Sequence, residues 1–232
     1  MTAPARRPED HPLLQAPLLR PFRLSPECAS TPSGTGGAPA VFIDRDGVLN
    51  RLVATGYVRH PDELVLIPEA LEGIRRLAQE TDYRIILLTN QSVVGRGDIP
   101  RRMLERIHGK LIAEVEAAGG RFDLLQVCPH APWMGCSCRK PRPGMLFDAA
   151  QLLGLDLGRS WTLGDSVRDI LAGQAAGTKV GFIRYRQWHH EREWDRLVDE
   201  KHVVEFVAED LGEAVGRLLE LESTAPLAPL LR

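Results

Sequence analysis

Short apolar runs alternate along the chain with stretches in which apolar residues recur every three to four positions. The runs at 40–44, 84–89, 124–128, 161–164 and 179–183, with a weaker one at 202–206, are rich in aliphatic side chains and predict strands. Helical periodicity predicts helices over 68–81, 100–118, 144–153, 167–176 and 208–221, several opened by a proline or an acidic first turn. Alternation of this kind predicts an α/β fold, a Rossmann-like parallel sheet with helices on both faces. Such sheets bind ligands beyond the carboxyl ends of their strands. The polar residues at the run ends fall there: Asp44 and Asp46, Thr89 and Asn90, Cys128 and His130, and Asp165.

The pattern fails at both ends. Residues 1–39 are proline-rich and close on a Ser/Gly/Thr stretch, which predicts a disordered tail; residues 223–232, with two prolines, predict a second, flexible one. What remains, 40–222, is one domain of ordinary size. Cys28 lies in the first tail and reads as an exposed bystander. A net charge of -2 with acids and bases interspersed gives no broad basic field, so a small-molecule substrate is expected, with neither nucleic acid nor membrane as partner. There is no apolar run of membrane-spanning length and no secretory leader, so the chain is expected to be cytoplasmic, and a monomer.

Candidate chemistry begins at Asp44-Arg45-Asp46-Gly47, where an apolar run ends in two carboxylates spaced by one residue. In an extended segment these project to the same side, so one could act as nucleophile on phosphorus while the other handles protons. A strand-end aspartate followed by an Asp-Gly turn is the plainer alternative. Thr89, at the end of its own run, could hold phosphoryl oxygens or merely cap a turn. Lys140 could neutralise a transferring phosphate or lie on the surface. Asp165 could complete an oxygen-ligand site for magnesium, with Asp169 one helical turn on, or both could be helix-capping acids. Cys128-x-His130-x5-Cys136-x-Cys138 offers three thiolates and an imidazole, a donor set suited to a closed structural zinc site that would fix the loop delivering Arg139 and Lys140; reduced thiols with a nearby histidine are the plainer alternative.

Taken together, Asp-x-Asp-Gly, Thr-Asn-Gln, Arg-Lys-Pro and Gly-Asp-x-x-x-Asp resemble the four motifs of the haloacid dehalogenase superfamily of phosphatases, over residues 42 to about 183. The resemblance implies Asp44 as nucleophile through an aspartyl-phosphate, Asp46 as general acid/base, and Thr89 and Lys140 as phosphoryl-binding groups. It implies magnesium held by Asp44, Asp165 and the Asp46 backbone carbonyl. The zinc cluster and the lack of long insertions resemble a nearly capless branch that includes phosphatases of a heptose 1,7-bisphosphate and of histidinol phosphate. Gly56-Tyr57-Val58, Thr89-Asn90-Gln91-Ser92 and the 139–145 segment look like the heptose group, and the five-residue gap between His130 and Cys136 like the histidinol group. Further substrate contacts are implied at Thr55, Gly56, Tyr57, Asn90, Gln91, Ser92 and Arg139. One departure is Ser166, where the heptose group commonly carries lysine. A non-catalytic binding protein on the same fold, and a polynucleotide phosphatase using Arg101-Arg102 and the 184–196 segment as its basic surface, fit less well. His189 and His190 read as part of a polar, solvated face.

Overall fold

A computed structural model describes residues 37–184 and 188–224. Six strands form one parallel sheet in the order β3-β2-β1-β4-β5-β6: β1 (Ala40–Ile43), β2 (Arg84–Asn90), β3 (Leu124–Cys128), β4 (Trp161–Gly164), β5 (Lys179–Ile183) and β6 (Phe206–Ala208). Each apolar run faces two covers at once. On β1 and β2, Val41, Ile43, Ile85 and Leu87 enter one core, and Ala40, Phe42, Ile86 and Leu88 enter the other. This is the period of two that a sheet buried on both faces requires.

The first core is closed by α1 (Pro68–Glu80), α3 (Arg101–Ala117) and α7 (Leu211–Thr224), and the second by α4 (Gly144–Leu153) and α5 (Val167–Ala176). The strand order reverses direction between β1 and β4, which leaves a crevice above their carboxyl ends. Among the described residues only short elements stand between β1 and α1 and between β2 and α3, a 3-10 turn at Pro61–Glu63 and a one-turn helix α2 (Ser92–Gly95), so neither connection forms a separate cap over that crevice.

Four expectations are corrected. Residues 37–39, assigned to the tail, dock onto the domain: Ala38 N donates to Gly154 O and Asp156 N to Ala38 O. The strand expected over 202–206 starts at Phe206 instead, and Val203 points into solvent. The last helix is displaced from 208–221 to Leu211–Thr224 because Asp210 caps it, accepting from Glu213 N at 2.9 Å. The helix therefore takes the first two residues of the expected C-terminal tail.

The fourth correction is α6 (Trp188–Asp199), which falls in the segment considered as a basic surface. Its Arg196 is paired with Glu193 and Glu200, and Leu197 is buried. The side chains of His189 and His190, the rest of the 1–36 tail with Cys28, and residues 225–232 lie outside the described residues.

Candidate active site

The motif residues converge on the crevice. Asp44 follows β1 and continues its ladder, donating its N–H to Leu163 O on β4 at 3.0 Å. The next residues turn tightly, with the N–H groups of Leu49 and Asn50 both reaching Arg45 O, and Gly47 takes a φ of 89° that favours glycine. A cavity of about 230 Å³ opens above, with Asp44, Asp46, Thr89, Lys140 and Asp165 among its lining.

Lys140 is the electrostatic centre. It is buried, and its Nζ lies 2.9 Å from Asp44 Oδ1, 2.5 Å from Asp169 Oδ1 and 2.6 Å from Leu88 O. Burial alone would lower its pKa, but the carboxylates of Asp169 and Asp44 hold it above the ordinary lysine range. For Asp44, burial outweighs the pull of Lys140, and with Asp169 and Asp165 nearby its pKa is pushed up to about 8. A cation placed between these acids would reverse that penalty.

Asp169, on the first turn of α5, is in turn fixed by Ser166, whose N–H and Oγ donate to its Oδ2 at 3.1 and 2.6 Å. That approach requires Gly164, because a Cβ there would stand 2.3 Å from the Asp169 Cβ.

Asp44, Asp165 and Asp169 place carboxylate oxygens within 4.8 Å of one another. With both Asp169 oxygens engaged, Asp44 and Asp165 are the side chains suited to hold magnesium, a hard cation that takes one or two carboxylates and fills its shell with water and phosphate oxygens. Asp46 would contribute only its backbone, because its carboxylate is held by Arg45, Asn50 (3.1 Å) and Gln91 (2.7 Å). Gln91 also donates to Thr89 Oγ1 at 2.9 Å.

The cysteine cluster forms the second candidate centre. Cys128 Sγ lies 3.7 Å from Cys136 Sγ and 3.6 Å from His130 Nδ1, which is 3.2 Å from Cys138 Sγ. A tetrahedral zinc with ordinary bond lengths needs S–S edges of about 3.8 Å and S–N edges of about 3.5 Å. The donor set fits. Hydrogen bonding with Cys138 pulls the Cys128 thiol below the usual range, and the same bond pushes the Cys138 thiol up.

Two ties connect this loop to the site. Asn90 and Lys140 exchange hydrogen bonds at 3.1 Å, and Gly95 lets α2 pack against the loop, where a Cβ would meet Pro129 O and Ala131 N at 2.6 Å.

Of the expected substrate contacts, Gly56, Tyr57, Asn90 and Arg139 line the cavity. Gln91 and Ser92 are buried behind it, Gln91 against Asp46 and Ser92 hydrogen-bonded with Tyr57 and Arg96. Thr55 is exposed and donates to Tyr57 O. Burial would raise the Tyr57 hydroxyl, but hydrogen bonds with Ser92, Arg139 and Arg96 bring it below the usual range. Sequence reasoning missed Leu52, Val53, Ser166 and Arg168 in the lining, and the ion pair of Asp169 with Lys140. The i, i+4 spacing from Asp165 was the one signal for Asp169; nothing in the sequence marked Arg168.

Comparison with known proteins agrees with this geometry. A HAD-hydrolase-like family model matches residues 137–214. The chain is 41% identical over 137 residues to the D-glycero-beta-D-manno-heptose-1,7-bisphosphate 7-phosphatase of Bordetella bronchiseptica, covering 59% of this chain and 75% of that one. The phosphatase of the same name from Pseudomonas aeruginosa is also 41% identical, over 144 residues, with 62% and 80% covered. The crystal structure of the B. bronchiseptica D,D-heptose 1,7-bisphosphate phosphatase complexed with magnesium and phosphate superposes with a TM-score of 0.71 at 34% identity, covering 79% of this chain and 99% of that one.

Proposed function

We infer the function of this chain from its family: it belongs to the haloacid dehalogenase-like hydrolases and is a phosphatase. Its proposed reaction is removal of the 7-phosphate from D-glycero-D-manno-heptose 1,7-bisphosphate. The observation that carries the substrate is the cavity's charge layout. The floor holds the Asp44–Lys140 pair, while Arg139 and Arg168 line the same cavity without a carboxylate partner among the described residues. One phosphate would sit at the floor, and the second would meet the arginines.

In this reading the Asp44 carboxylate attacks the phosphorus and the P–O bond to the sugar breaks. Asp46, protonated at this stage, gives its proton to the leaving oxygen. Water then attacks the phosphorus of the aspartyl-phosphate and passes a proton to Asp46 as the bond to Asp44 breaks. Lys140, the Thr89 hydroxyl and the N–H groups beyond β2 hold the phosphoryl oxygens. Asp44, Asp165 and the Asp46 carbonyl would hold magnesium, which when bound would neutralise charge at the phosphate. Cys128, His130, Cys136 and Cys138 would hold zinc, which would fix the loop that carries Arg139 and Lys140.

We place the protein in the cytoplasm, where thiols that ligate metal stay reduced, and read it as a monomer whose cavity is complete within one chain. No helix among the described residues is long and apolar enough to cross a membrane.

The test is magnesium-dependent phosphate release from the heptose bisphosphate and from histidinol phosphate, compared by kcat/KM, with Asp44→Asn as control. A preference for the bisphosphate of at least about tenfold, equal to ~1.4 kcal/mol, and no turnover by the variant are expected. A preference for histidinol phosphate would reassign the substrate, and an active Asp44→Asn would remove the nucleophile.

A further inference from the structure

Arg45 stands between the two aspartates of the first motif, yet its side chain is fully buried. Its Nη2 donates to both Asp46 oxygens at 2.8 and 2.9 Å, and its Nε to Oδ1 at 3.2 Å. Its Nη1 lies 3.1 Å from Nε2 of His108. His108 sits on α3, 3% exposed, among the apolar side chains with which that helix covers the sheet. A guanidinium has donors only, so the contact requires Nε2 to accept, which puts the imidazole's one proton on Nδ1 and leaves the ring neutral. Burial and the positive charge of Arg45 both hold His108 well below the ordinary histidine range, in agreement with a neutral ring.

We propose that His108 and Arg45 are positioning residues for the hydrolytic reaction, His108 fixing the guanidinium plane and the guanidinium fixing the one orientation in which the Asp46 carboxylate serves the phosphoryl site. This rests on the reading of Asp46 as the group that moves protons. Asn50 and Gln91 complete the hold on Asp46 from the other sides, leaving it 18% exposed where it lines the cavity. A buried guanidinium without its histidine acceptor would have a donor unsatisfied and would be free to turn, and misplacement of a proton-transfer group by a fraction of an ångström is enough to slow the step it serves.

The consequence divides by step. Expulsion of an alkoxide needs a proton from Asp46, and hydrolysis of the aspartyl-phosphate needs Asp46 to take one. Expulsion of p-nitrophenolate, a stable anion, needs neither. The experiment is therefore a single turnover of p-nitrophenyl phosphate with enzyme in excess and magnesium present, following p-nitrophenolate and inorganic phosphate in the same reaction. This probe is independent of the heptose, so an error in the substrate reading would leave it intact.

His108→Asn and His108→Gln are compared because both are polar, but only glutamine brings an acceptor oxygen to the place of Nε2. For His108→Asn, p-nitrophenolate release within about twofold of the parent and phosphate release slowed about 10- to 100-fold are expected, a part of the roughly 10²–10⁴-fold that a correctly positioned acid/base supplies. His108→Gln should restore phosphate release to within about threefold, on the same scale. Unchanged phosphate release in the asparagine variant, equal slowing of both products, or a glutamine variant as slow as asparagine would each overturn the proposal.

Discussion

Three charged side chains of this site are each held by a neighbour: Lys140 by Asp169, Asp169 by Ser166, and Asp46 by Arg45 and Gln91. Buried charges persist only when paired in this way, and removing one partner leaves the other unpaired in a low-dielectric setting. His108 follows the same logic with the opposite sign, because it is kept uncharged beside a cation. Its folded pKa lies well below 6.5, whereas in the unfolded chain it titrates near the ordinary value.

The unfolded state therefore binds the extra proton first as the pH drops. Stability is fully present above about 6.5 and is lost as the pH falls below that value, by up to about 1.4 kcal/mol per pH unit, until the folded-state histidine also protonates. Urea denaturation at pH 7.5, 6 and 5 should show this loss in the parent protein and a flatter acid limb in His108→Gln. Equal acid sensitivity in the two would mean that His108 is not the titrating group.

At the scale of elements, the loop from Cys128 to Lys140 has no strand or long helix to stiffen it, only a 3-10 turn at Pro132–Met134. It is tied down by the exchange of hydrogen bonds between Asn90 and Lys140 and the close packing at Gly95, and a zinc ion on its Cys/His cluster would add a third constraint. One zinc per chain is expected by metal analysis. Cys136→Ser, which leaves Lys140 and Asp44 untouched, should lower both thermal stability and phosphatase activity, because structural zinc contributes directly to folding free energy. Full activity in a metal-free variant would separate the loop from catalysis.

The cluster was legible beforehand because its spacing is dense and its residue types are rare. So were β1 to β5 and four helices, since their apolar periodicity is strong. Helix α6 was not. It packs through Trp194, 6.0 Å from Phe182, and through Leu197, both set in a run of charged residues, and its Glu193 accepts from Val167 N to open α5. Both roles are tertiary, and neither leaves a mark in local periodicity. The positions of Arg45 and His108 were hidden for the same reason, the first by its place between two aspartates and the second within the apolar stripe of α3.

For the whole molecule, the 3-2-1-4-5-6 strand order makes β1 and β4 neighbours, pairing Ile43 with Leu163 although they are far apart in the chain, and so joins motifs distant in sequence. It also sets the N-terminal turn of α5 on the rim of the crevice, which is why Ser166 and Arg168 both line the cavity. Ser166 cannot supply the cation expected at its position, and its side chain is committed to Asp169. Arg168, two residues on, is exposed at the same rim and makes no ion pair among the described residues, so it can take that part. A charge-assisted bond of this kind contributes about 1.5–3 kcal/mol.

Arg168→Ala should therefore raise KM for the heptose bisphosphate by about tenfold or more, ~1.4 kcal/mol per decade, while leaving kcat/KM for p-nitrophenyl phosphate within about twofold, because that ester has no second phosphate to lose. Histidinol phosphate, which carries an ammonium group, should be hydrolysed no worse by the variant than by the parent, since removing a cation from the rim removes a repulsion. Steady-state kinetics on the three esters decide the point: a uniform loss would place Arg168 in the support of the phosphoryl site, and a loss confined to the bisphosphate would place it at the second phosphate.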